Sequence, residues 1–217
     1  MDNFIKDSAH ELNTPIAVLL TSASALRQGR NQEKMLQYIV SSAKQVSHIY
    51  NDIHFCAFNE INDDVSQEFN LQDLVQESVG YFNDIAIAKK IEITCNCEKT
   101  YIKMDKTKTQ RIINNLLSNA IKYSNKNTKI EVSLVDSILK VKDEGIGINK
   151  IDQENIFKRY KRNSSIEGGF GIGLDIVTRI IKEYNLKLDL ISQEEIGSTF
   201  IIYFKNVRVK NKENNGI

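Results

Sequence analysis

The first 58 residues leave few choices, because their apolar positions keep one rhythm with one interruption. Ile5, Ala9, Leu12, Ile16, Leu19, Ala23 and Leu26 alternate four and three apart, as in the seam of a coiled coil or bundle. Leu36, Ile39, Ala43, Val46, Tyr50, Ile53 and Ala57 repeat the pattern after Gln28-Gly29-Arg30-Asn31. Gly29 suits a helix C-cap and Asn31 an N-cap, so the segment predicts an antiparallel helical hairpin. Each helix would run about 40 Å. Two helices bury only one seam, and Met35, Ile49 and Cys56 widen the apolar face of the second. Pairing two hairpins into a four-helix bundle is the economical solution, so a homodimer is expected.

From Glu68 onward helical and strand patterns mix. Helices are expected over Leu71 to Ala88, Lys106 to Ser124 and Gly171 to Tyr184. Strands are expected over Ile91–Asn96, Thr100–Met104, Lys187–Ser192 and Ser198–Phe204. Lys129–Leu134 and Ile138–Asp143 should form a hairpin around Asp136-Ser137. The mixture predicts an α+β chain in which the hairpin (residues 1–60) precedes an α/β sandwich (residues 68–207) with helices on one face. The polar residues 208–217 are expected to be a disordered tail.

The formal net charge is +1, so no strong field draws the chain to nucleic acid. No uninterrupted apolar run reaches membrane-spanning length, so no direct membrane contact is expected of this segment. The cysteines, Cys56, Cys95 and Cys97, are too few and odd for a disulfide framework. Cys95 and Cys97 lack a second ligand pair at zinc spacing and read as strand residues on one face. His48 and His54 read as residues of the bundle surface.

Chemistry enters at His10. It lies one position off the seam, so its imidazole should face the flank. A neutral imidazole is a competent nucleophile near pH 7, and Glu11 beside it could orient the ring and take a proton. Pro15, the sole proline, cannot donate to the Glu11 carbonyl and so disturbs the helix next to His10. Alone, this pattern is also that of an ordinary surface histidine.

Asn115, Asn119 and Lys122 share one face of the 106–124 helix, with Tyr123 flanking it. Amide oxygens suit Mg²⁺ and lysine suits phosphate, although such a stripe is equally a solvated face. Leu139, Val141 and Asp143 alternate onto one strand face, which carries the Asp143 carboxylate to the covered side. There it needs a donor, and an adenine amino group is a natural one. Gly145 and Gly147 would let the backbone pass close to the base. Gly168-Gly169-Phe170-Gly171-Ile172-Gly173-Leu174 opens a helix, where free N–H groups can face an anion, but it lacks the Gly-Lys-Ser/Thr of a P-loop. The aromatic and basic run Ile156 to Arg162 would suit a lid over a polyphosphate.

Taken in order, these segments resemble the H, N, G1, F and G2 boxes of bacterial sensor histidine kinases. They are His10 to Pro15, Asn115 to Tyr123, Asp143 to Gly147, Ile156 to Arg162 and Gly169 to Leu174. The resemblance implies a dimerisation and histidine-phosphotransfer hairpin followed by a Bergerat-type ATP-binding domain. It implies ATP-dependent phosphorylation of His10 with Glu11 as acid/base neighbour, and transfer to an aspartate of a response regulator. It further implies Mg²⁺ on Asn119, Asn115 and Lys122 near the phosphates, Tyr123 beside adenine and Asp143 on its amine. Arg162 would approach the γ-phosphate, and Gly169, Gly171 and Gly173 with Leu174 would hinge and cap the lid. Thr14 matches the position that helps place water for dephosphorylating the regulator. The parent protein would be anchored in the bacterial inner membrane with this portion cytoplasmic. Asn13 stands where the family usually has Arg, and Asp175 where a small residue is common. An ATPase or serine kinase of the same nucleotide-binding superfamily would share the asparagine helix and glycine motifs without needing His10.

Overall fold

A computed structural model describes residues 2–58, 65–153, 156 and 172–209. Two long helices, α1 (Asp2–Arg27) and α2 (Gln32–Phe58), pack antiparallel as the hairpin. Gly29 takes φ 74°, and Asn31 Oδ1 accepts from the Lys34 N–H at 3.1 Å, so glycine ends α1 and asparagine caps α2.

The seam is split between two directions. Leu12, Leu19 and Leu26 are half-buried, while Ala9, Ile16 and Ala23 are exposed and Pro15 and Ser22 are buried instead. The face buried within one hairpin is therefore rotated from the expected seam toward Pro15. Ile16, Val18, Leu20, Leu36 and Val40 stay exposed.

The second unit begins with β1 (Gln67–Asn70), a strand the sequence pattern does not show, which pairs antiparallel with β3 (Tyr101–Met104). The main sheet has five strands: β2 (Glu92–Cys97), β4 (Lys129–Val135), β5 (Ile138–Asp143), β6 (Lys187–Gln193) and β7 (Gly197–Tyr203). Their order is β2-β4-β5-β7-β6, with β2 parallel to β4 and the other pairs antiparallel. Asp136 and Ser137 both take positive φ, 54° and 61°, which forms the tight β4–β5 turn.

Helices α3 (Leu71–Ala88), α4 (Lys106–Tyr123) and α6 (Ile172–Glu183) accompany the sheet, with a short α5 (Lys150–Gln153). Ile130, Val132 and Leu134 of β4, with Leu139 and Val141 of β5, join Leu74, Phe82, Ile112, Leu116, Ile176 and Ile180 in one core. Asn70 and Asp105 cap α3 and α4 through their side chains. Helix α2 lies against α3 and α6, so hairpin and sandwich touch. Lys44 Nζ pairs with Asp84 at 2.6 Å, and the Tyr81 hydroxyl donates to the Lys44 carbonyl.

Candidate nucleotide and phosphotransfer site

Helix α4 carries the stripe. Its apolar side, Ile112, Ile113, Leu116 and Ala120, is buried, which fixes Asn115, Asn119 and Lys122 on the side facing the hairpin. Asn115 is buried, and its Nδ2 donates to the Arg111 carbonyl at 3.0 Å and, at 3.4 Å, to Asp52 Oδ1 of α2. Asn119 Nδ2 is buried without a hydrogen-bond partner. Lys122 Nζ binds Glu11 Oε1 at 2.8 Å.

Asp143 ends β5 on its covered face, as the alternation predicts, and is buried. Its Oδ1 accepts from the N–H groups of Gly145 at 2.9 Å and Ser198 at 3.3 Å. Burial pushes the carboxyl up to about 6, against the opposing pull of those two donors. The strand end is tied to α4: the Ile146 N–H donates to the Tyr123 carbonyl, and Ser124 bridges Gly145. Gly147 takes φ 64°, and a Cβ there would run into the Gln193 carbonyl. The close approach that requires this glycine is to the protein's own backbone, whereas the sequence reading assigned it to a base.

Gly173, in the first turn of α6, lies against Asn115; a Cβ there would occupy the place of Asn115 Oδ1. Glycine thus lets α6 reach the asparagine stripe, with Leu174 buried behind it. Arg162, Gly169 and Gly171 lie outside the described residues, as do Phe157 to Lys161, the rest of the expected lid beyond Ile156. The 208–217 tail lies outside them from residue 210 onward.

The hairpin closes the site from the other side. His10 is exposed and, with Glu11, Thr14, Ser118 and Lys122, lines a cleft of about 900 Å³ between the hairpin and helices α3 and α4. Glu11 spends its carboxylate on Lys122, across the cleft. A smaller pocket adjoins it, lined by Glu11, His48, Asp52, Asn115, Asn119, Lys122 and Gly173, with a volume of about 40 Å³. That is room for about three waters, with Glu11, His48 and Asp52 of the hairpin forming one side of it.

His48 and Asp52 are the residues that sequence reasoning missed. The His48 side chain is only 10% exposed and packs its ring edge-on to Phe82, so it is not on the bundle surface. Burial, aided by the Arg111 guanidinium, holds it down at about 4. Burial pushes Asp52 up to about 7, although Arg111 and the Asn115 amide favour its charge. The two lie 3.6 Å apart, yet at neutral pH His48 is uncharged, so they are not an ion pair. Arg111 Nη1 donates to the Asn51 carbonyl at 3.0 Å, and its guanidinium lies over the Phe55 ring. The signal in the sequence is one helical turn, His48 to Asp52, on a helix whose apolar face is too broad for one partner. Asp175, the departure at the G2 box, pairs with Arg179 at 2.7 Å.

A model of histidine kinase-, DNA gyrase B- and HSP90-like ATPases matches residues 104–208. A model of the His Kinase A phospho-acceptor domain matches residues 1–56. The chain belongs to the sensor histidine kinases. Its second unit is thus an ATP-binding domain of that superfamily. This kinase core is 28% identical to the sensor histidine kinase RppB of Synechocystis over 92% of its length and 48% of the relative's. It is 27% identical to the histidine protein kinase SaeS of Staphylococcus aureus over 91% and 62%. The chain therefore spans about half to three-fifths of these relatives. Among solved structures, the catalytic domain of histidine kinase ThkA aligns with TM-score 0.55 at 26% identity, covering 63% of this chain and 95% of that one. The Acinetobacter baumannii kinase AdeS aligns with TM-score 0.56 at 24% identity, covering 89% and 95%, which speaks to the fold. Among the described residues no helix is long and apolar enough to cross a membrane.

Proposed function

We propose that this kinase core binds ATP with Mg²⁺, phosphorylates its own His10, and passes the phosphoryl group to the aspartate of a response regulator. The observation that carries this is the cleft in which exposed His10 faces Lys122 of the nucleotide helix. A histidine on an unrelated helix would have no reason to share a cavity with Lys122, whose stripe neighbours Asn115 and Asn119 line the adjoining pocket.

In this reading residues 1–60 present the nucleophile, 68–207 hold ATP, and 208–217 are a tail. Asp143 accepts from the adenine amine, Tyr123 flanks the base, and Gly145 and Gly147 shape the strand end beneath it. Asn115 and Lys122 serve the phosphates, and Gly169, Gly171, Gly173 and Leu174 border them while Arg162 approaches the γ-phosphate. Asn119 suits Mg²⁺: its amide end is buried and unpartnered, and turning that amide offers a hard oxygen ligand. The ion would offset charge on the phosphates.

A ring nitrogen of His10 attacks the γ-phosphorus, so an N–P bond forms as the bond to the ADP oxygen breaks. Lys122 and Glu11 hold each other in the closed arrangement. When Lys122 turns to phosphate, Glu11 is released to take the proton that His10 must lose. Thr14, on the same side of α1, would later place water for hydrolysis of the regulator's phosphoaspartate. A homodimer is favoured by the exposed Ile16, Leu20 and Val40, which one hairpin leaves uncovered. The likeness to sensor kinases supports a cytoplasmic portion of an anchored parent.

The test is incubation with labelled ATP and Mg²⁺. The parent should take up acid-labile, base-stable label, and His10→Ala should take up none. Equal labelling of His10→Ala would refute the assignment, and base-labile label would favour a serine kinase of the same superfamily.

A further inference from the structure

Strand β2 is an edge of the main sheet. Cys95 and Cys97 sit on it two residues apart, hence on one face. Cys95 is exposed and Cys97 half-buried beside the core, opposite Leu134. Spacing alone leaves two such side chains parallel and well separated. Here they lean together, and the sulfurs are 3.4 Å apart in a hydrogen bond. The Gln72 amide donates to the Cys97 carbonyl at 2.6 Å and pins that strand end to α3.

We propose that Cys95 and Cys97 form a two-thiolate clamp for one trivalent, thiophilic metalloid centre of the arsenic(III) or antimony(III) class. The bite in this arrangement matches one class of soft ligand. With sulfur bonds of about 2.3 Å, a 3.4 Å separation closes an angle of about 95°. That is the angle of a pyramidal trivalent centre. A linear two-coordinate soft cation would need its sulfurs on opposite sides, about 4.6 Å apart. A disulfide would be strained, because residues two apart on a strand have Cα atoms about 6.6 Å apart, near the upper limit for bridging. No backbone movement is needed for the clamp. Cys56 is no competitor, since burial pushes its thiol up to about 11.

The chemistry balances without an oxidant. An organoarsenic(III) oxide meets two S–H groups, two As–S bonds form, and the oxygen leaves as water. The third substituent on arsenic remains the organic group, so two protein sulfurs suffice.

Phenylarsine oxide added to the reduced chain is the direct probe, read by intact mass and by titration of free thiols. The expected result is one arsenical per chain with two thiols protected, released by a dithiol but not by a monothiol. Cys95→Ser and Cys97→Ser should each weaken binding by roughly 100-fold, because the second sulfur acts intramolecularly. Cys56→Ser should bind as the parent does. Parent-like binding by either Cys95→Ser or Cys97→Ser, or no adduct on the parent, would overturn the clamp. Far-ultraviolet circular dichroism of each variant separates loss of the site from loss of the fold.

Discussion

Asp52→Asn should give the protein an acid sensitivity that the parent largely lacks. Asp52 is raised in the folded chain from 3.8 to about 7, so its contribution to stability is full below pH 3.8 and is lost as pH rises toward 7. His48 is depressed from 6.5 to about 4, so its contribution is full above pH 6.5 and is lost as pH falls toward 4. Over most of that span the two slopes oppose, and the parent profile is nearly level with respect to this pair. Replacing the carboxyl by an amide removes one slope and keeps the shape. Other titrating groups are common to both chains, so the variant-minus-parent difference isolates Asp52. A shift from 3.8 to about 7 is worth about 4 kcal/mol at roughly 1.4 kcal/mol per unit. The difference should therefore rise by about 3 kcal/mol between pH 4 and pH 7, with the variant losing ground in acid. Urea unfolding at half-unit pH steps measures it, with m compared so that only midpoint changes count. A difference that stays flat across this range would refute the proton linkage argued from burial.

Three further outcomes follow from the packing. Gly173→Ala puts a methyl where the Asn115 amide oxygen sits, so affinity for a non-hydrolysable ATP analogue should fall at least tenfold, about 1.4 kcal/mol, by calorimetry. Lys122→Ala frees Glu11 but would remove the proposed phosphate contact; autophosphorylation should drop while thermal stability moves by less than about 1 kcal/mol, since the pair is partly solvated. Ile112→Ala empties a fully buried core position and should cost about 2–5 kcal/mol in urea unfolding.

Local rules made much of this molecule readable. Strict alternation through Leu139, Val141 and Asp143 placed the carboxylate on the covered face. The four-and-three spacing of Asn115, Asn119 and Lys122 gathered them on one side of α4. Asp136-Ser137 was legible as a turn because short polar residues tolerate positive φ. Strand β1 was not: Gln67-Glu68-Phe69-Asn70 carries one apolar residue, and its pairing with β3 is what makes it a strand. The hairpin seam was half legible. Periodicity names the apolar positions, but which of them meet the antiparallel neighbour depends on helix rotation, and Pro15 and Ser22 take places a heptad would give to Ile16 and Ala23. Burial of His48 and Asp52 was invisible for a related reason. Nothing within α2 announces that its polar turn docks on α4, because the partners Arg111 and Asn115 lie about sixty residues away.

The Glu11–Lys122 bond has a consequence for the proposed reaction. If Lys122 serves the phosphates as proposed, it cannot grip a carboxylate and a phosphate at full strength together, and ATP and the hairpin would compete for one ammonium group. Linkage then requires the exchange to be reciprocal: whatever factor a helix motion lends to ATP affinity, bound ATP lends back to that motion. A twist of α1 that withdraws Glu11 would be felt as tighter nucleotide binding, and saturating nucleotide would hold α1 twisted. On that reading the two halves of the chain are in this sense ligands of each other.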